Sequence, residues 1–465
     1  MQNPKFCFLA LSFFLFIQCS KDNSPEPESE APKETPKETP KDPTPPPEPE
    51  PIVYFTFTID QSINTSEQDN WILIHDENGK LLDYKSYESG ETLEFEDLEN
   101  NLTENIHISL FHHRIITTQD QNNQPQQTDQ HTGTTYTSIP IKNHWTHSKY
   151  PTKLEQKTEL TANGEFSLHL SNFPNPDNVL NGFFSTMRHG NLSTVVAPSF
   201  GSFSIFNPNT NTLELNGLAS YNENPNYLMT VLNQENYEMR YSFFKKTENS
   251  ANLNLDYNEF EVLDNIYNLP VLPDNQSYLF QHVGFETETS FKSDTGYFIL
   301  GPQGSPDLNG NGIPVGTLDQ FEFYRTWLSY STNEYSYHLN QDGPNMSIES
   351  YPEAPSVSSN GNINSFDFST TADYLRREDS WIGSDNTTNW KVVCDANTYP
   401  KLSEFPEELI TLFPSLVPLN DLQHVSTRIF LQGDTYDENL DRLFNPDFDH
   451  IITYGFVNEY FIISI

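Results

Sequence analysis

The run Asp307-Leu-Asn-Gly-Asn-Gly312 combines residue types and spacing that could do chemistry. Side-chain oxygens at alternate positions can converge on a hard cation, and glycine permits the sharp turn that brings them round. Asp307, Asn309 and Asn311 are therefore candidate calcium ligands. The twelfth position of such a loop is Leu318, where a bidentate Glu belongs, so closure falls to Asp319 or to a backbone carbonyl. No helical pattern flanks the run and Pro314 follows it closely. A calcium ion here would have a structural role in an extracellular loop, and the competing expectation is an Asn-Gly turn with no ion.

Histidine supplies the next candidates. His144-Trp-Thr-His147 is an H-x-x-H pair, and His112-His113 is a doublet on an apolar, strand-like stretch. Adjacent residues of a strand point to opposite faces, so the doublet cannot chelate together. The H-x-x-H pair lacks a nameable third ligand, and hydrogen-bonded histidines are expected instead. The chain contains neither the G-x-S-x-G nor the H-E-x-x-H pattern that marks nucleophilic or metal-assisted hydrolysis. Glycoside hydrolysis needs only two suitably separated carboxylates, and 65 acidic residues leave that route open. Trp145, Trp327, Trp381 and Trp390 lie in polar or turn-like settings where an indole could stack on a sugar, whereas Trp71 reads as core. Against this, aromatic residues in a β-rich chain mostly fill cores.

These side chains must be carried by strands. From residue 52 the hydrophobic period is two. Strands are predicted at 52–59, 71–75, 81–87, 92–98, 105–116, 136–141 and 166–170, with Asp76-Glu-Asn-Gly79 as a hairpin turn. The segment 117–135 is rich in Gln, Asn and Thr without an apolar period and reads as a mobile loop. WILIHDENGKLLDYKSY (71–87), YLMTVLNQENYEMRYSFF (227–244) and FYRTWLSYSTNEYSYHLN (323–340) share a strand–turn–strand pattern. Either sandwich domains repeat, or the chain simply holds similar hairpins. Towards the C-terminus, 402–416 has the apolar spacing of one helical face, bounded by Pro406 and Pro414. A second short helix is expected over 438–444, followed by closing strands at 451–457 and 460–465.

The expected fold class is thus mainly β. An N-terminal β-sandwich, immunoglobulin-like or prealbumin-like, spans 52–172. A larger β-rich region with one or two short helices, forming one domain or two, covers 173–465. Phe (34) and Tyr (23) are abundant, which suits strands. A formal charge of −41 repels phosphates and anionic lipid head groups, which argues against nucleic acid and such lipids as partners, while divalent cations and neutral glycans are compatible. Of the three cysteines, Cys394 lies in an apolar run, Val392-Val393-Cys394, and reads as a buried, inert thiol.

The N-terminus indicates a location. Lys5 precedes the apolar run Phe6–Ile17, which ends in Phe-Ile-Gln-Cys19. The run has signal-peptide length and is too short for a permanent membrane span. The stretch resembles a bacterial lipobox, with Gln18 in a position more often held by a small residue. The resemblance implies cleavage before Cys19 and lipidation of its thiol. The acidic sequence after it, Ser-Lys-Asp-Asn-Ser-Pro-Glu-Pro-Glu-Ser-Glu, resembles the export tags of Bacteroidota lipoproteins. That implies an outer-membrane, lipid-anchored and surface-exposed protein. Residues 20–51 hold eleven prolines and no apolar face, so they form a tether that does not fold. Extended, it would reach on the order of 100 Å. The combination points to a surface protein that binds an extracellular ligand such as a glycan, or another surface protein, or that serves adhesion or scaffolding. The alternative is a secreted glycoside-hydrolase-type enzyme.

Overall fold

The computed structural model describes residues 51–97, 102, 104–119, 123–148, 162–174, 184–185, 195–196, 204–221, 226–233, 238–245, 251–270, 278–292, 297–300, 314–343, 348, 350–395, 399–402, 405–448 and 456–465. Cys19, the proline-rich segment, Asp307, Asn309 and Asn311 lie outside the described residues. The chain is mainly β, with three short α-helices among the described residues.

Period-two alternation becomes strands directly at the N-terminal end. β1 (Ile52–Ile59), β2 (Asp69–Asp76), β3 (Leu81–Ser86), β4 (Thr92–Asp97), β5 (Asn105–Gln119), β6 (Pro125–Pro140) and β7 (Asn143–His147) form two facing layers. One is the sheet β4-β1-β7, and the other contains β3-β2-β5-β6. Phe55, Phe57, Phe95 and Trp145 meet Ile72, Ile74, Ile106, Ile108 and Ile139 between them, all fully or almost fully buried. The β2–β3 turn follows from its residues. The Asp76 carboxylate accepts from the backbone N–H of Asn78 (2.9 Å) and of Lys80 (2.8 Å), and Gly79 adopts φ +85°. A Cβ on Gly79 would also lie 2.1 Å from the Lys401 carbonyl oxygen, so this position excludes side chains twice over.

The expected loop at 117–135 is instead a continuation of the β5–β6 hairpin. Its ladder runs through Ile115↔Asp129 and Thr117↔Gln127 to Gln119↔Pro125. Backbone pairing does not require apolar side chains, and β-branched threonines suit a strand exposed on both faces. Periodicity alone therefore misses such a strand.

A second pair of layers follows. β8 (Ala162–Ser171), β9 (Phe184–Ser185), β10 (Val195–Val196), β11 (Ser204–Asn207), β12 (Thr212–Tyr221), β13 (Asn226–Asn233), β14 (Glu238–Lys245), β15 (Asn252–Asp256) and β16 (Glu261–Val262) make the sheets β11-β12-β8-β15 and β10-β9-β13-β14-β16. β13 is apolar at successive positions because both its faces are covered. Tyr227, Met229 and Val231 enter the core shared with β8 and β12, while Leu228 enters the next one. β17 (Asn265–Asn268) follows as part of a two-stranded ribbon.

The remaining elements are β18 (Tyr278–Phe285), α1 (Glu288–Lys292), β19 (Tyr297–Ile299), β20 (Pro314–Thr317), β21 (Phe323–Ser331), β22 (Tyr335–Asp342), β23 (Val357–Asn360), β24 (Asp367–Thr370), β25 (Arg376–Ile382), β26 (Thr388–Asp395), α2 (Glu407–Leu412), β27 (Gln423–Gln432), α3 (Tyr436–Phe444) and β28 (Val457–Ser464). β20 pairs with β17 and β23 with β24, and the other strands complete a twelve-stranded sheet in the order β19-β18-β21-β22-β28-β27-β25-β26-β6-β5-β2-β3. The parallel pair β6–β26, Thr388↔His131 to Val393↔Tyr136, joins N-terminal and C-terminal strands. Gly133 is needed there, since its Cβ would sit 2.1 Å from the Trp390 ring.

α2 is shorter than the apolar spacing predicts. Pro406 caps it, Phe413 leaves helical geometry at ψ 76°, and Pro414 follows. Leu402, Phe405, Leu409, Phe413 and Leu416 still line one side, against Trp381, Trp390 and Val392. α3 carries a full capping box, with Thr435 and Glu438 each bonding the other's backbone, and turns Tyr436, Leu440 and Phe444 onto the N-terminal core. Cys394 is buried, and burial pushes its thiol up to about 12, so it is inert. The three similar segments are antiparallel hairpins, β2–β3, β13–β14 and β21–β22.

Candidate functional site

Four neighbouring strands, β18, β21, β22 and β28, present one face of the large sheet to the outside. Their other face is core, filled by Phe280, Leu328, Leu339 and Phe461. Alternation therefore fixes which residues point outward, and the register sorts them into rows. One row is Leu279, Ser329, His338, Tyr460, and the next is Gln281, Trp327, Asn340, Asn458. A third row, Val283, Arg325, Asp342, closes one end. The first two rows line an open groove of about 600 Å³.

The closing row is rigid. Arg325 Nε donates to Asp342 Oδ1 at 2.7 Å, with both side chains buried. α1 packs Phe291 over Phe285 and Phe323, so this end is a small core of its own. The Arg325 guanidinium lies 5.8 Å from the Trp327 ring and braces the half-buried indole.

The opposite end is a stack from three strands. His338 of β22 lies parallel to Tyr460 of β28, with centroids 4.7 Å apart. Arg428 of β27 lies 5.0 Å from the same ring. β22 and β27 flank β28, so the imidazole and guanidinium reach Tyr460 from opposite sides. Tyr460 is thus a wall of the groove, and Trp327 is its broad apolar platform. His338 is held below its ordinary pKa by burial and by the Arg428 charge, and so is neutral near pH 7. Between platform and wall, Asn340 and Asn458 stand opposite each other, and the Oδ1 atom of each is buried without a hydrogen-bond partner. Unmet acceptors of this kind cost free energy unless a ligand or water supplies donors. A surface combining an indole, carboxamides and a hydroxyl suits a ligand with apolar C–H faces and many hydroxyls. The described residues lining the groove include no carboxylate.

The other sequence candidates fall elsewhere. Trp145, Trp381 and Trp390 are buried, contrary to their polar sequence settings, because each sits on the inward parity of its strand. Trp390 Nε1 donates to Thr135 Oγ1 at 2.9 Å deep in the sheet. His144 bonds Thr58 Oγ1 at 2.9 Å, and His147 stacks on Phe57. Of the candidate calcium set only Asp319 is described, and its backbone N–H donates to Asp264 Oδ2 at 2.9 Å.

A polar cluster lies where β2, β5 and β6 meet the segment after α2. His113 contacts Asp69 Oδ2 (2.8 Å) and Asp129 Oδ1 (3.3 Å), and Ser415 lies 3.0 Å from His131 Nε2. The Ser415 hydroxyl donates to Asp129 Oδ2 at 2.9 Å, so its proton is directed to a carboxylate and His131 must donate to it. That polarity is the reverse of a serine nucleophile activated by histidine.

Sequence reading found Trp327 but missed its partners. Gln281, His338, Asn340, Asn458 and Tyr460 alternate with buried apolar residues, a signal that becomes readable only once the strand register is known.

No family model matches the chain, and no curated protein matches it. Among solved structures, one described as "Crystal structure of tetra-tandem repeat in extending region of large adhesion protein" aligns over 82% of this chain and 96% of its own at 8% identity, with a TM-score of 0.12. A superposition that poor carries no weight for fold or function.

Proposed function

We propose that this chain is a lipid-anchored outer-membrane protein that captures an extracellular glycan in the groove built by β18, β21, β22 and β28. The carrying observation is the row Gln281, Trp327, Asn340, Asn458, in which a half-exposed indole stands beside two amides with unpartnered oxygens. Pyranose rings offer apolar faces to an indole and hydroxyl donors to carboxamide oxygens. Lipidation at Cys19, surface exposure and the tether at 20–51 belong to the same reading and rest on the sequence. Such a tether would hold a capture site out where large polymers are accessible.

The test uses the chain from position 19 with Cys19→Ser, so that it is soluble, on a panel of immobilised polysaccharides, with calcium and with chelator. Retention on at least one glycan is expected. Trp327→Ala should weaken it roughly 30-fold, the cost of about 2 kcal/mol typical for a buried aromatic anchor. Loss on chelation would tie Asp307, Asn309, Asn311 and Asp319 to the bound state. No retention on any glycan would refute the capture reading and leave adhesion or scaffolding ahead. Metabolic labelling with a fatty-acid analogue, abolished by Cys19→Ala, tests the anchor.

A further inference from the structure

The charge around the Tyr460 wall narrows the class of ligand, provided that the groove captures a glycan as proposed. The chain has 24 Lys and Arg against 65 Asp and Glu, so as a whole it repels polyanions, and only a local excess of cations can hold one. Glu378 Oε2 is shared by two of them: Arg428 Nη1 at 3.1 Å and Lys391 Nζ at 3.5 Å. One carboxylate cannot neutralise two cations, so one positive charge is left over. Arg428 is the cation that touches the groove wall, and its side chain is 34% exposed. His338 beside it is held neutral by burial first and by the Arg428 charge second. Arg376 lies over Phe430 at 3.7 Å and adds another cation to this side of the sheet.

We propose that the groove binds a linear acidic glycan, with a uronic-acid carboxylate held by Arg428 beyond Tyr460 while another ring of the chain rests on Trp327. A partly exposed guanidinium is matched to a carboxylate, and such a contact is charge-assisted. The distance also suits a chain of rings. Trp327 and the Arg428 head group are between two and three strand spacings apart and about one row apart, roughly 12–15 Å. That span accommodates about three sugars of an extended polymer. The amide pair Asn340 and Asn458 then serves the hydroxyls of the ring between them.

The experiment compares sodium polygalacturonate with its fully methyl-esterified form in affinity electrophoresis of the same soluble chain. The two polymers share a backbone and differ in charge. The acid form should be bound at least tenfold more tightly, and raising the salt should narrow the difference. Arg428→Gln should remove the preference, Arg428→Lys should restore part of it, and Trp327→Ala should lose both polymers. Equal binding of acid and ester by the unmodified chain would overturn the acidic-ligand inference while leaving glycan capture standing. So would retention on neutral polysaccharides alone. Failure to bind any glycan, charged or neutral, would overturn both. The comparison on the unmodified chain does not depend on any variant folding.

Discussion

Acid should unfold this protein in a pH range set by its buried histidines, three of them above all. Burial pushes His75 and His112 down to about 4 and His282 down to about 3. In the unfolded chain each would titrate near 6.5. Between these values the unfolded state binds protons that the native state refuses, so stability falls as pH drops below about 6.5. At pH 5 each site has lost about 2 kcal/mol, which is about 1.4 kcal/mol per pH unit over the interval. The three sites sum to about 6 kcal/mol, comparable with the whole stability of many domains. Burial also lowers His107, His131, His147 and His338, which add to the drop in the same window. The carboxylates held low by hydrogen bonds, Asp60, Asp129 and Asp256, lose their contribution only at lower pH. Denaturant unfolding followed by tryptophan fluorescence at pH 7.5 and 5.0 measures the drop. His75 has both ring nitrogens buried and unpartnered, so His75→Met removes a titrating group without breaking a bond. That variant should shrink the drop by about 2 kcal/mol. Equal stability at the two pH values, or an unchanged drop in His75→Met, would refute the reasoning.

Other outcomes rest on single contacts. Gly133→Ala should cost about 1–3 kcal/mol in denaturant melts, because its Cβ meets the Trp390 ring and the sheet must shift. Asp342→Ala leaves the buried Arg325 guanidinium without its ion-pair partner and should cost about 3–5 kcal/mol. It should also weaken glycan retention, since Arg325 braces Trp327. Thr435→Ala removes the α3 cap and should cost about 1 kcal/mol by the same melts.

The hairpins were legible because each is local: alternating apolar residues, a turn, and a second strand. Asp76 to Gly79 is an example, where carboxylate, asparagine and glycine specify the turn from within. What sequence hides is pairing between distant strands. Nothing near Thr134 or Val392 shows that β6 and β26 lie side by side, yet that pairing buries Trp390 and joins both ends of the chain. The tryptophans show the same limit. Trp390 lies between Asn389 and Lys391 and Trp381 between Ser380 and Ile382, and whether such a residue faces core or solvent depends on parity within a sheet. Trp327 has similar neighbours and faces out. Asn340 and Asn458 are far apart in sequence and become a pair only through the β22–β28 register.

The placement of β28 links folding and binding. It lies between β22 and β27, so it is an interior strand although it is last in sequence. It supplies Phe461 to the core on one face and Asn458 and Tyr460 to the groove on the other. Deleting residues 460–465 should therefore destroy cooperative folding, because Phe461 leaves the core and β22 and β27 lose much of the strand that bridges them. Tyr460→Ser changes only the outward face. It should cost little stability, about 1 kcal/mol from the lost stack with His338 and Arg428, while weakening glycan retention. A deletion variant that melts like the full chain would contradict the interior position of β28. A Tyr460→Ser protein that binds as tightly as the unmodified chain would show that the wall beside Arg428 takes no part in holding the ligand.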